Sequence, residues 1–334
     1  MQLRPFQSIT LLVVASFYVS AVSAQEERNP PDTQQLSKAS VPPELVNVKQ
    51  KAERGDAVAQ SALGDAYLAG SGVRQDYREA AKWYAAAAEQ NLPAAQFALG
   101  YLYERGGGVA QNYREAVRYY RAAAEQGHAT AENNLASMYE HGRGVPKSSL
   151  EAFRWYRASA EHGDPTGQTN LASMYFTGRG VRRDLQEAAF WFHAAAERGV
   201  PEAQNNLAVL YYTGAGVPRD YAESARWVRR AADQGYVAAQ ADLGYLYEQG
   251  KGVPLDCIAA YMWYRLAATR GDQRSVARMK SIAHRMPPEQ LKAARTRSAA
   301  WVPRPGKLAG LPGNEQSGAG SQHSKEPGTI CGDP

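Results

Sequence analysis

The chain has 334 residues with a formal net charge of +5, and the basic excess lies at its C-terminal end. From Arg270 onward, eleven Lys or Arg residues stand against five Asp or Glu residues. A charge confined to one end does not indicate a nucleic-acid partner. The only cysteines are Cys257 and Cys331, so the fold cannot depend on a disulfide framework, and whether the two pair stays open.

The N-terminus has the pattern of a secretory signal peptide. Arg4 precedes an apolar stretch at 9–19, and Val22-Ser23-Ala24 supplies the small residues of a cleavage site. We expect cleavage after Ala24 (signal peptide 1–24) and a periplasmic or secreted protein with a flexible polar segment at 25–41. The apolar stretch is short for a membrane span, although an uncleaved anchor is the alternative.

A Gly-x-Gly-Val tetrad recurs six times with a spacing of 36 residues and no insertion. The tetrads begin at Gly70, Gly106, Gly142, Gly178, Gly214 and Gly250. A fixed period of this length is typical of a solenoid. A phosphate-binding loop would need its glycines between a strand and a helix, so these tetrads do not predict a nucleotide site.

The residues before each tetrad predict the first helix of a repeat. Each unit begins with a small residue, followed by Leu four residues later and Tyr four residues after that, which together form one stripe of a helix. The stripe recurs as Ala59-Leu63-Tyr67, Ala95-Leu99-Tyr103, Ala131-Leu135-Tyr139, Gly167-Leu171-Tyr175, Ala203-Leu207-Tyr211 and Ala239-Leu243-Tyr247. The first tetrad glycine follows three residues after the Tyr and ends the helix.

The residues after each tetrad predict a second helix. It opens with an N-cap residue such as Asp76 or Asp184, and it ends at a glycine in five units and at Asn91 in the first. Inside it, small residues make room and we expect the aromatic residue at the Trp83 position to fill that space. The equivalents of Trp83 are Tyr119, Trp155, Trp191, Trp227 and Trp263.

These units resemble the Sel1-like repeat, a relative of the tetratricopeptide repeat, over residues 59–274. The resemblance implies an all-α fold: a right-handed superhelical solenoid of six helix-turn-helix repeats. Residues 42–58 and 275–302 should form N- and C-terminal capping helices, giving a solenoid at 42–302. Residues 303–334 are rich in Gly, Pro and Ser and are predicted to be a disordered tail.

The sequence contains no recognisable catalytic or metal-binding constellation. The six histidines have no ligand spacing, and the serine motifs of hydrolases are missing. We therefore predict a protein that is not an enzyme and that uses no cofactor or metal. The alternative is a cell-wall or β-lactam related hydrolase or binding protein, which turnover of a fluorescent penicillin would detect.

The resemblance points to protein recognition on the concave face, which first helices line in tetratricopeptide-like solenoids. Amide side chains suit an extended peptide backbone, and aromatic side chains supply rigid contact area. We predict a protein or peptide partner, an envelope sensor or secretion component being one possibility, with no nucleic acid and no membrane span after cleavage. The predicted partner-binding residues are Phe97, Tyr101, Asn133, Asn170, Phe176, Asn205, Tyr212 and Tyr245. The asparagines could instead bridge neighbouring helices.

Overall fold

The structure is a computed structural model that describes residues 43–304. The predicted signal peptide, the segment at 25–41 and most of the predicted tail lie outside these residues. The described residues form fifteen helices and no strand, and they divide into two compact units after Gln90. The first unit contains α1 (Pro43–Glu53), α2 (Ala57–Ala69) and α3 (Tyr77–Glu89).

The second unit contains five helix pairs followed by two further helices. The pairs are α4 (Pro93–Arg105) with α5 (Tyr113–Ala124), α6 (Ala129–His141) with α7 (Ser149–Glu161), α8 (Pro165–Thr177) with α9 (Leu185–Glu197), α10 (Pro201–Thr213) with α11 (Tyr221–Asp233) and α12 (Val237–Gln249) with α13 (Cys257–Thr269). Helices α14 (Gln273–Ala283) and α15 (Pro288–Ala299) follow, and both pack on α13. The predicted all-α solenoid is confirmed.

The helix boundaries follow from caps that repeat with the sequence. At the start of α9, the Asp184 side chain accepts hydrogen bonds from the amides of Gln186 and Glu187. At the end of α8, Gly178 has φ +73° and donates its amide to the Met174 carbonyl. Asn91 adopts the same left-handed region with φ 62°, as its type allows.

The second tetrad glycine sets the distance between consecutive repeats. A Cβ on Gly180 would collide with the Ser149 carbonyl oxygen, where the second helix of the preceding repeat begins. Gly216 stands in the same relation to Leu185. Each of these glycines also has positive φ, so a side chain is excluded both by space and by backbone conformation.

The core confirms the leucine stripe and corrects part of the prediction for the second helix. Leu135, Leu171 and Leu207 are fully buried; at the Trp83 position, Trp227 and Trp263 are buried as predicted, whereas Trp155 and Trp191 are only half-buried. The residue that follows this position is buried in every repeat of the second unit, namely Tyr120, Tyr156, Phe192, Val228 and Tyr264. Its side chain faces the small residue beside the leucine, and a Cβ on Gly100 would come within 2.9 Å of the Tyr120 ring.

The C-terminal helices cover the end of the second unit. Ala294 of α15 is fully buried and Leu291 packs beside it on the cluster around Tyr264, as the amphipathic pattern predicts. Cys257 belongs to the same cluster and is buried. Cys331, the other cysteine of the sequence, lies outside the described residues.

Two glycine substitutions separate close approach from backbone strain. Gly180→Ala adds a collision to a strained φ, whereas Gly271→Ala adds only strain, because its Cβ meets nothing within 4 Å. We expect Gly271→Ala to cost about 1–2 kcal/mol of stability and Gly180→Ala about 3 kcal/mol or more. Thermal melts followed by circular dichroism measure both, and equal losses would contradict the close-approach role.

Candidate partner-binding face

One recurring position on the first helices of the second unit holds a residue whose type depends on the buried residue of the second helix in the same repeat. We call the surface of α4, α6, α8, α10 and α12 that carries this position the first-helix face. In three repeats the position holds a glutamate that accepts a hydrogen bond from the buried tyrosine of the same repeat. These bonds are Tyr120 Oη to Glu104 (2.7 Å), Tyr156 Oη to Glu140 (2.9 Å) and Tyr264 Oη to Glu248 (2.8 Å).

Repeats four and five lack the hydroxyl and also lack the glutamate. Their buried residues are Phe192 and Val228, and the positions on the first-helix face hold Phe176 and Tyr212. A buried tyrosine hydroxyl requires an acceptor, whereas Phe and Val require none. Without a buried tyrosine in the second helix, this position can hold an aromatic side chain. Phe176 and Tyr212 are both half-buried against the surrounding core.

In three repeats the variable residue of the tetrad contacts this position of the preceding repeat. Arg179 forms an ion pair with Glu140 at 2.6 Å, and Arg143 lies 3.8 Å from Glu104. Where the preceding repeat holds Tyr212, the tetrad residue is Lys251, whose Nζ donates to the tyrosine hydroxyl at 2.8 Å. Where it holds Phe176, the tetrad residue is Ala215.

Lys251 lies among three tyrosine rings at the C-terminal end of this face. Its Nζ is 5.1 Å from the ring centroid of Tyr212, 5.6 Å from that of Tyr221 and 5.9 Å from that of Tyr245. The guanidinium carbon of Arg278 lies 5.7 Å from the ring centroid of Tyr245. The cations and the rings attract one another through the ring quadrupoles, which holds these tyrosines in place.

The predicted asparagines contact one another across neighbouring repeats. Asn170 Nδ2 donates to Asn133 Oδ1 at 2.9 Å, so this pair bridges α8 and α6. Asn205 makes the equivalent contact with Asp242, and its own Oδ1 is buried without a hydrogen-bond partner. The bridging interpretation is therefore confirmed for the first pair, while Asn205 keeps one unused acceptor.

The other predicted aromatic residues lie on α4, apart from the tyrosine cluster. Phe97 is half-buried and stacks on the His128 ring at 4.9 Å, and it also packs against Tyr120. The Arg105 guanidinium lies 5.6 Å from the Tyr101 ring. The structure thus brings Tyr212 and Tyr245 together, with centroids 6.4 Å apart, and keeps Phe97 and Tyr101 as a separate pair.

Four repeats carry an asparagine or aspartate at the position of Asn134, and Asp242 is the one member of this row that can ionise. Burial raises the pKa of its carboxyl to about 7, although Arg274 and the hydrogen bond from Asn205 both act to lower this pKa. Asp272 adds to the increase by repulsion. The other members of the row are Asn134, Asn170 and Asn206, which carry no charge at any pH.

Within residues 43–304, no cluster of three or more His, Cys, Asp or Glu side chains has a geometry that could hold a metal ion. The helices of this range are also too short and too polar to cross a membrane. Both findings concern the described residues alone.

The Sel1 repeat model matches six consecutive segments: 57–92, 93–128, 129–164, 165–200, 201–236 and 237–272. The chain belongs to the Sel1 repeat family. The matched frame begins two residues before the one deduced from the glycines and has the same period. A search of curated proteins gave no match.

Two solved Sel1 repeat structures support the fold. One is c5321 of uropathogenic Escherichia coli, a protective antigen with 36% identity and a TM-score of 0.69, which matches 76% of this chain. That match spans 56% of the E. coli protein, little more than half its length. The other is a Sel1 repeat protein from Oxalobacter formigenes, with 34% identity, a TM-score of 0.59, and coverage of 67% of this chain and 94% of that one.

Lys251, Arg143 and Arg179 are not among the predicted site residues, because the variable residue of the Sel1 tetrad was expected to be part of a turn. The signal is a pairing between that residue and the first-helix position 39 residues earlier. Glutamate there goes with arginine, and tyrosine goes with lysine. Comparing repeats with this offset would have found all three cations.

The raised pKa of Asp242 predicts a pH dependence of stability. The folded chain keeps a proton on this carboxyl up to about pH 7, whereas the unfolded chain releases it near pH 3.8. The contribution of this group to the free energy of unfolding is therefore most favourable below pH 3.8 and is lost as the pH rises through about 7. Asp242→Asn should therefore stabilise the protein at pH 8 by about 1–2 kcal/mol and bring little gain at pH 4. Thermal melts at the two pH values measure this, and an equal effect at both would contradict it.

Proposed function

We propose that this Sel1 repeat chain is a non-catalytic scaffold or regulator that binds a protein or peptide partner on its first-helix face. Arrays of Sel1 repeats are typically protein-interaction scaffolds, and stacked repeats offer an extended surface for this purpose. The chain's own residues narrow the proposal to a position on that surface.

The observation that carries the proposal is the replacement of glutamate by Phe176 and Tyr212 in two adjacent repeats. In the flanking repeats three and six, the glutamate at this position accepts an internal tyrosine hydrogen bond and forms an ion pair, Glu140 with Arg179 and Glu248 with Arg278. An aromatic side chain left half-buried at the surface offers rigid contact area to a partner at a low cost in conformational entropy.

The packing of the first helices also favours this face. Direct contact between α6 and α8 supports a concave first-helix face, since a stack curves toward the side on which its neighbours approach most closely.

The location of this activity follows from the N-terminal sequence. The pattern at residues 1–24 favours export, so the partner would belong to the cell envelope or to the extracellular medium. Envelope sensors and secretion components are the partner classes we propose.

A double substitution tests the face without removing its packing. Phe176→Glu with Ala215→Arg recreates the Glu140–Arg179 pair of the neighbouring repeat, so the fold should tolerate it. We expect crosslinking pull-down from envelope extracts to lose the partner by about tenfold or more while the melting temperature stays within a few degrees.

The control is Leu150→Arg, which changes an exposed apolar residue on α7 instead. It should capture the same partner as the unmodified chain. Capture that survives the double substitution and fails with the control would move the binding site from the first-helix face to the second helices.

A further inference from the structure

Two second helices, α9 and α13, depart from the charged pattern of the other four, and only α9 carries a strongly exposed aromatic residue at the basic position, since its equivalent in α13 is the half-buried Met262. Four second helices carry a basic residue in an ion pair with the glutamate three residues earlier, as in Lys82–Glu79, Arg118–Glu115, Arg154–Glu151 and Arg226–Glu223. In α9 the equivalent residue is Phe190, and 63% of its surface is exposed. A large exposed aromatic residue at an otherwise solvated position indicates an interaction surface.

A cavity of about 270 Å³ lies directly beside Phe190. Ala189, Ala194 and Phe190 itself line this open cavity from α9 together with the polar Gln186 and His193, and Tyr211, Gly216 and Val217 line it from the following repeat. Its mostly apolar lining and its size suit one aromatic side chain. The same patch therefore contains both a projecting ring and a socket that could accept one.

The residues one turn away on each side of Phe190 have complementary chemistry. Glu187 lies three residues before it and His193 three residues after it, and all three side chains are exposed. If two copies of α9 cross antiparallel about a two-fold axis at Phe190, Glu187 of each copy faces His193 of the other. The carboxylate then accepts a hydrogen bond from the imidazole on both sides of the axis.

We infer that this patch is a self-complementary interface through which two copies of the chain form a symmetric dimer. Each copy inserts Phe190 into the socket of the other, which is the isologous arrangement that two-fold symmetry requires. The dimer surface consists of α9 with Tyr211 and Val217 of the following repeat, and it leaves the position of Phe176 and Tyr212 on the first-helix face of each copy for its own partner. The inference goes beyond the proposed function and does not depend on it.

Sedimentation velocity of the full chain over a wide concentration series tests the dimer. Phe190→Arg recreates the Glu–Arg spacing of α7, so the variant should fold, and we expect its dissociation constant to rise by about tenfold or more. Leu150→Arg is the matched control and should dimerise like the unmodified chain. A chain that stays monomeric throughout, or a dimer that Phe190→Arg leaves intact, would overturn the inference.

A charge swap tests the antiparallel geometry. Glu187→Lys should weaken the dimer, because a cation then faces His193 of the second copy. Adding His193→Glu to the same chain places lysine opposite glutamate at both contacts and should restore the dimer. Failure of the double variant to recover would exclude this geometry, whereas capture of a different protein by the Phe190 patch would show a heterologous partner instead.

Discussion

The close approach of each tetrad to the preceding helix is the constraint on which the second unit depends. Gly180 and Gly216 lie so near the first residue of the second helix in the preceding repeat that no side chain fits. This contact recurs every 36 residues, and an inserted residue would shift every later contact. The strict period of the sequence is therefore a consequence of packing, since each repeat must meet its neighbour at the same point.

Because the register is fixed, residues that contact one another in neighbouring repeats can change together. The face position of a first helix meets two groups: the buried residue of its own second helix and the tetrad residue of the next repeat. In the second unit, where the buried residue is tyrosine, the position holds glutamate, and an arginine of the next tetrad balances the charge in two repeats. Where the buried residue is Phe192 or Val228, the requirement for an acceptor is removed and an aromatic residue takes the position. The distinctive surface of repeats four and five thus originates in the core.

Periodicity alone predicted the helices, their caps and the leucine stripe, because these depend on local residue types that recur. It predicted the buried Trp227 and Trp263 correctly but placed the core aromatic one residue too early at Trp155, since Trp155 and the buried Tyr156 are adjacent and equally regular in the sequence. The roles of the asparagines depended on contacts 37 residues apart, which local patterns do not specify. The cluster around Lys251 was missed for the same reason, and the exposure of Phe190 became evident only once the helix faces were known.

The central claim is that recognition takes place on the first helices, at the repeats where aromatic residues replace glutamate. Hydrogen–deuterium exchange of the chain, alone and with its captured partner, tests this most directly. The account predicts that the partner slows exchange in α8, α10 and α12 while leaving α9 and α11 unchanged. Slower exchange confined to α9 and α11, with the first helices unaffected, would contradict it.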